Sequence, residues 1–119
     1  MTDTNRENPE PSVVFATLAD PRRRRILRRL LEHDDAMSVT RLAEHVTERE
    51  TGTDDQEQVY TELHHMHIPK LADANFVTRD GDAVAIADDG EAVEPYLALA
   101  AKYESRKYDS ADEPDREHA

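Results

Sequence analysis

The chain contains no cysteine, which excludes a disulfide framework and any thiolate metal site. It has no early apolar run able to serve as a signal or membrane segment, so a soluble, cytoplasmic protein is expected. Aromatic residues are scarce, with two phenylalanines and four tyrosines among 119 residues, and apolar residues make up 37%. That allows one compact domain with a modest core. Internal repeats are absent, and so are a nucleophile motif, a glycine-rich phosphate loop and paired carboxylates in an apolar setting. The sequence therefore predicts neither an enzyme nor a bound cofactor.

Lysine is also rare. Only Lys70, Lys102 and Lys107 occur, while 27 acidic residues oppose 15 basic ones for a net charge of −12. Such a balance ordinarily opposes binding to an acidic polymer such as DNA. The acid-rich, lysine-poor composition resembles that of proteins from halophilic archaea, whose cytoplasm holds molar salt. At about 1 M salt the Debye length is roughly 3 Å, so distant carboxylates barely repel a phosphate backbone. Counterion release then adds little affinity, and any DNA binding relies on close contacts and shape.

Residues Met1 to Pro11 and Ser105 to Ala119 are polar and lack an apolar period, which predicts disordered tails at 1–11 and 105–119 around a domain at 12–104. Asp20-Pro21 marks a helix start, because Asp20 accepts from free first-turn amides and Pro21 suits the first helical position. The helix runs to about His33. Ile26, Leu27, Leu30 and Leu31 share one arc, and Arg22, Arg24, Arg25, Arg28 and Arg29 share the opposite one. Arg23 alone falls on the apolar arc, where a bond to a carbonyl or an acid is expected. Upstream, Val13, Val14, Phe15 and Leu18 form a short cluster expected to pack on the same core.

Ser38 precedes a second helix carrying Val39, Leu42, Ala43 and Val46 at i, i+3, i+4 and i+7 and ending near Thr47. Glu48 to Asp55 reads as a loop. A third helix begins at Asp54 to Gln56 and turns Val59, Leu63 and Met66 inward, with Tyr60 and His67 at the edges of that face. Pro69 is expected to interrupt it, leaving Leu71 to Ala74 as a separate turn before Asn75, a left-handed stop. Phe76, Val77, Val84 and Ile86 then flank Asp80-Gly81, a hairpin signal. A last helix after Asp88-Asp89-Gly90 places Ala92, Tyr96, Leu99 and Tyr103 on one stripe, widened by Leu97 and Ala101.

This order, three helices and then a hairpin, predicts a mainly α fold with a small β-hairpin (α+β), a winged helix-turn-helix. Two resemblances coincide with it. Leu18-Ala19-Asp20-Pro21, then Arg23, Ile26 and Leu27, then Val39-Thr40-Arg41-Leu42-Ala43, resembles the opening of winged-helix repressors of the ArsR class. The series Arg22-Arg23-Arg24, Ser38 to Ala43, Val59-Tyr60 and His67-Ile68-Pro69-Lys70-Leu71-Ala72-Asp73-Ala74 is similar to an uncharacterised winged-helix domain family of halophilic archaea, over about Val13 to Ile86. The resemblance implies the fold and a regulatory role, without an established ligand or activity. The cysteine pairs of metal-sensing ArsR-class members have no counterpart here.

In a winged helix the third helix enters the major groove and the wing touches backbone or minor groove. Opposite the expected inward stripe lie Glu57, Gln58, Thr61, His64 and His65. Gln58 suits adenine, Thr61 a phosphate or a thymine methyl, and His64 and His65 guanine or phosphate. Arg79 in the wing suits a phosphate or a narrow minor groove, or else an ion pair with Asp80 or Asp82. No arginine or lysine occurs on the third helix before Lys70, so a solvated acidic helix is the competing reading. From Arg22 to His33 the local charge is +5, against −6 from Asp34 to Gln58; the arginines could contact phosphates, but pairing with the acidic stretch of the same molecule or of a partner subunit is the expected use.

His64 and His67 at i, i+3 invite a metal ligand pair, but only Glu57 or a distant His45 offers a third ligand, and no metal site is predicted. His67 reads as a partly buried packing residue. The function expected is a homodimeric transcriptional regulator binding double-stranded DNA, dimerised through the terminal helix around Tyr96, Leu99 and Tyr103, with the helix from Pro21 as a further candidate contact. The alternative is a winged-helix protein-interaction module without direct DNA contact.

Overall fold

The computed structural model describes residues 9–50 and 55–112, with side chains as far as Glu104. Most of the expected tails lies outside the described residues, and residues 51–54 of the expected loop do too. Helix α1, Pro11–Thr17, starts where Glu10 accepts from the amide of Ser12 at 3.1 Å. Its period buries Val14 and Leu18, four residues apart, and leaves Val13 and Phe15 exposed by 42% and 62%. Only half of the expected upstream cluster therefore enters the core.

Helix α2, Pro21–His33, is capped by Asp20, whose carboxylate accepts from the Arg22 amide at 2.8 Å, and stops at Asp34 in a left-handed conformation. Ile26, Leu27 and Leu30 are buried. Next comes strand β1, Met37–Ser38, which the sequence pattern did not reveal. Ser38 also caps helix α3, Val39–Arg49, accepting from the Arg41 amide at 3.0 Å. Val39, Leu42, Ala43 and Val46 are fully buried, as the spacing predicts.

The next helical stretch is continuous but changes its winding. Helix α4, Gln56–Glu62, capped by Asp55, passes into a π segment, Leu63–His67, and then into α5, Ile68–Asp73. Asn75, at φ 67°, is the left-handed stop. Strand β2, Val77–Asp80, turns at Gly81, whose φ of 63° suits glycine, into β3, Ala83–Ile86. The sheet is antiparallel with order β1-β3-β2, pairing Met37 with Val84 and Arg79 with Val84 from the two sides. The fold is mainly α with a small sheet, an α+β arrangement in winged helix-turn-helix order.

Helix α6, Asp88–Ala92, and the long α7, Glu94–Asp112, complete the described chain. Helix α7 continues past 104, where a tail was expected to begin. The apolar stripe read as continuous from Ala92 to Tyr103 is split at Val93, which with Leu97 enters the core, while Leu99 and Tyr103 stay exposed by 52% and 59%. Because Val93 and Leu97 set the side of α7 that faces the core, Leu99 and Tyr103 fall on the side turned away from the domain.

The corner between β3 and α6 depends on Gly90. Its amide donates to Ala87 at 2.9 Å, and the Ala87 amide donates to the carbonyl of Phe76 at 3.0 Å, drawing α6 onto the backbone before β2. A Cβ on Gly90 would stand 2.1 Å from the Phe76 carbonyl oxygen. Because that neighbour is backbone, Gly90→Ala is expected to cost about 1–3 kcal/mol. Urea unfolding should show a lower midpoint with an unchanged slope; an unchanged midpoint would mean that α6 can lift from the sheet freely.

Candidate nucleic-acid interface

Position on the α4–α5 stretch is decided by the π segment. The Ile68 amide donates five residues back, to the carbonyl of Leu63, so the helix is locally wider than an α-turn. That width accommodates Pro69, whose ring would otherwise crowd the carbonyl four residues earlier and whose nitrogen has no proton to donate. The expected interruption at Pro69 therefore does not occur. The inward residues become Val59, Leu63 and His67, all buried, and Met66, expected inside, is 46% exposed. One wide turn is enough to exchange Met66 for His67.

Inside the domain His67 meets Arg23. The Arg23 guanidinium donates through Nε to the Thr17 carbonyl at 2.6 Å and through Nη2 to the Ala16 carbonyl at 3.4 Å, and its Nη1 lies 3.3 Å from His67 Nδ1. Arginine only donates, so Nδ1 accepts and the ring carries its proton on Nε2. That nitrogen lies 3.9 Å from Glu62. Glu62 also pairs with Arg22, whose Nε and Nη2 grip the two oxygens of Glu50 at 2.9 and 3.0 Å, and Arg25 joins Glu50 at 3.0 Å. Here the arginine face pairs with the acidic stretch of the same chain, as expected. Arg24 and Arg28 instead reach Glu104 of α7 at 2.7 and 3.0 Å, a use that no local pattern announced.

The outer face carries the residues proposed from sequence. Gln58, Thr61 and His65 are exposed, and His64 is half-buried. The Thr61 hydroxyl donates to the Glu57 carbonyl at 3.0 Å, so its oxygen remains an acceptor. Arg79 pairs with neither Asp80 nor Asp82. Its Nε donates to the Gly81 carbonyl at 3.0 Å, and its Nη2 lies 2.7 Å from His64 Nδ1, joining the wing to the helix. The His64 ring stacks on Tyr60 with centroids 5.8 Å apart and 15° between planes, and meets the His65 ring edge-on at 4.7 Å. Tyr60, expected only at the edge of the core face, thus supports this surface.

His64 and His67 are not a ligand pair, because the wide turn sends one to the wing and the other to Arg23. Among the described residues no group of three or more histidines and acids is placed to hold a metal ion. The residues expected at a dimer contact lie apart from this face, on α7. There Tyr96 is half-buried, and its ring meets Phe15 edge-on at 5.6 Å.

Burial lowers the proton affinity of His67, and Arg23 and Arg22 reinforce this against Asp20 and Glu62. With the folded pKa below the unfolded value, the unfolded chain binds the proton first as pH falls. The resulting stability is complete above the ordinary histidine pKa of about 6.5 and is lost progressively below it. His45, lowered by burial and by Arg29 and Arg49, adds in the same direction. Urea midpoints at about pH 7.5 and 5.5 should therefore fall further in the native chain than in His67→Gln, with His45 supplying part of the remaining fall. Equal falls would disprove the burial of a neutral His67.

A model of a family described as a domain of unknown function, DUF7344, matches residues 15–87. No curated protein and no solved structure matches the chain. The matched stretch takes in α2 to α5, all three strands, Arg23, His67 and the joined pair His64 and Arg79. On that match, which spans more than half of its length, the chain belongs to the DUF7344 family.

Proposed function

We propose that this is a winged-helix transcriptional regulator that binds double-stranded DNA as a homodimer in the cytoplasm and has no catalytic activity of its own. The observation that carries the reading is the joining of Arg79 to His64, which fixes the wing against the helix bearing Gln58, Thr61 and His65. One surface thus offers an adenine-compatible amide, a hydroxyl, imidazoles and a guanidinium, groups suited to base edges and phosphates. The resemblance to ArsR-class regulators and to a winged-helix family of halophilic archaea supports it. The acid-rich, lysine-poor composition suits a cytoplasm of molar salt, in which the net charge of −12 is compatible with DNA contact.

Fluorescence anisotropy in about 2 M potassium chloride, with the protein's own upstream region against a scrambled duplex, should show preferential binding to the former. Thr61→Asp combined with Arg79→Asp should weaken it by roughly 100-fold, since each contact contributes on the order of tenfold or more. Equal or absent binding to both duplexes by the folded protein refutes sequence reading. In that case the protein-interaction module stands, favoured by the exposed Glu57 beside Gln58 and by the absence of arginine and lysine from α4 and the π segment.

The dimer is assigned to α7, around Tyr96, Leu99 and Tyr103. Leu99→Glu should convert a sedimenting dimer to monomer without loss of helical signal. A dimer that persists in this variant would remove α7 from the interface.

A further inference from the structure

An open groove of about 280 Å³ runs between the end of α1 and α5, lined by Val13, Ala16, Thr17, Arg23, Lys70, Asp73 and Ala74. Its floor is the guanidinium of Arg23, only 8% exposed, beside the buried Thr17. Three of the Arg23 N–H groups are engaged with the carbonyls of Ala16 and Thr17 and with His67, and a guanidinium has more to offer. At the rim, Lys70 and Asp73 are exposed, and neither forms an ion pair among the described residues. Val13, Ala16 and Ala74 supply apolar wall. The groove thus combines two cations, one free carboxylate and a small apolar surface within the reach of one small molecule.

We propose that this groove binds a small apolar α-amino acid as its zwitterion. The carboxylate meets Lys70 and the unused N–H groups of Arg23, the ammonium meets Asp73, and the side chain lies on Val13, Ala16 and Ala74. The volume sits at the lower edge of small-molecule sites, roughly 300–1,000 Å³, which suits a ligand of this size. A simple anion is opposed by Asp73 and a simple amine by Lys70 and Arg23, so the site selects the molecule carrying both charges. Arg23 also holds His67 in the π segment, so occupancy is felt on the helix that carries Gln58, Thr61 and His65.

The test uses the isotopically labelled full chain in about 2 M potassium chloride without DNA, so its result is independent of the DNA-binding reading. L-valine is titrated while amide shifts are followed at Thr17, Lys70, Asp73 and Ala74 together with the His67 ring, and isovalerate and isobutylamine are titrated as single-charge controls. Saturable shifts are expected with L-valine at all of these sites, and binding at least about tenfold weaker for either control. Lys70→Gln and Asp73→Asn, both at exposed positions, should each weaken L-valine by a similar factor. The absence of saturation with L-valine, equal shifts with isovalerate, or variants that bind as well as the native chain would overturn the proposal. If a variant fails to fold, the comparison of L-valine with isovalerate on the native chain still decides it.

Discussion

The buried guanidinium of Arg23 holds three parts of this molecule in relation to one another. It projects from the apolar arc of α2, takes the last-turn carbonyls of α1, and meets His67 in the π segment. A cation at 8% exposure is costly unless its donors are satisfied. Backbone carbonyls meet that need without bringing a second charge into the core, and the neutral imidazole adds an acceptor with defined orientation. Removing Arg23 would take its donors from the Thr17 carbonyl and from the Nδ1 of His67 together, leaving Arg24, whose Nη1 donates to the Leu18 carbonyl at 2.6 Å, as a remaining tie from α2 to the end of α1.

Around this buried centre the other arginines of α2 form a belt of ion pairs. Arg22 and Arg25 converge on Glu50 at the end of α3, Arg22 also holds Glu62 before the π segment, and Arg24 and Arg28 hold Glu104 on α7. Isolated surface pairs contribute little, about 0–1 kcal/mol each. Here the contribution is chiefly geometric: Glu50 and Glu104 each receive two arginines, and the Arg22 fork fixes both oxygens of Glu50, which a lysine could not do. In a chain with net charge −12, gathering the cations on one helix also neutralises three of the acids closest to it. Of the basic residues outside this belt, Arg79 and Lys70 line the two candidate binding surfaces.

Features written within a few residues were legible in the sequence. Asp20-Pro21, Ser38 and Asn75 act as expected, and the hairpin forms where Asp80-Gly81 signalled it but one residue later, with Gly81 and Asp82 as the turn and Asp80 paired to Ala83, because capping and turn conformations are satisfied by the residue itself and its immediate backbone. Strand β1 was not legible, since its two residues show no alternation and exist as a strand only because β3 lies beside them. The π segment was hidden for a related reason. Met66 fits an α-helical stripe better than His67 does, and the preference is reversed by a wide turn that accommodates Pro69 and by a partner for His67, Arg23, more than 40 residues earlier. Of the candidate surface, Gln58, Thr61 and His65 were readable as solvent-facing from their spacing, whereas the link from Arg79 to His64 depends on how the wing folds back.

The same wide turn separates two histidines that an ordinary helix would have placed on one side. Three steps of an α-helix fall short of a full turn by only about 60°, so His64 and His67 would then have competed for one environment. In the π segment three steps fall further short, and His67 enters the core while His64 turns to Arg79. The orientation of the outer face is therefore not a property of the residues on that face. It follows from the partner that His67 finds inside, and so from Arg23. A change at the α1 end of the domain has a physical route to the wing through this register, by way of Arg23, His67 and the turn that presents His64 to Arg79.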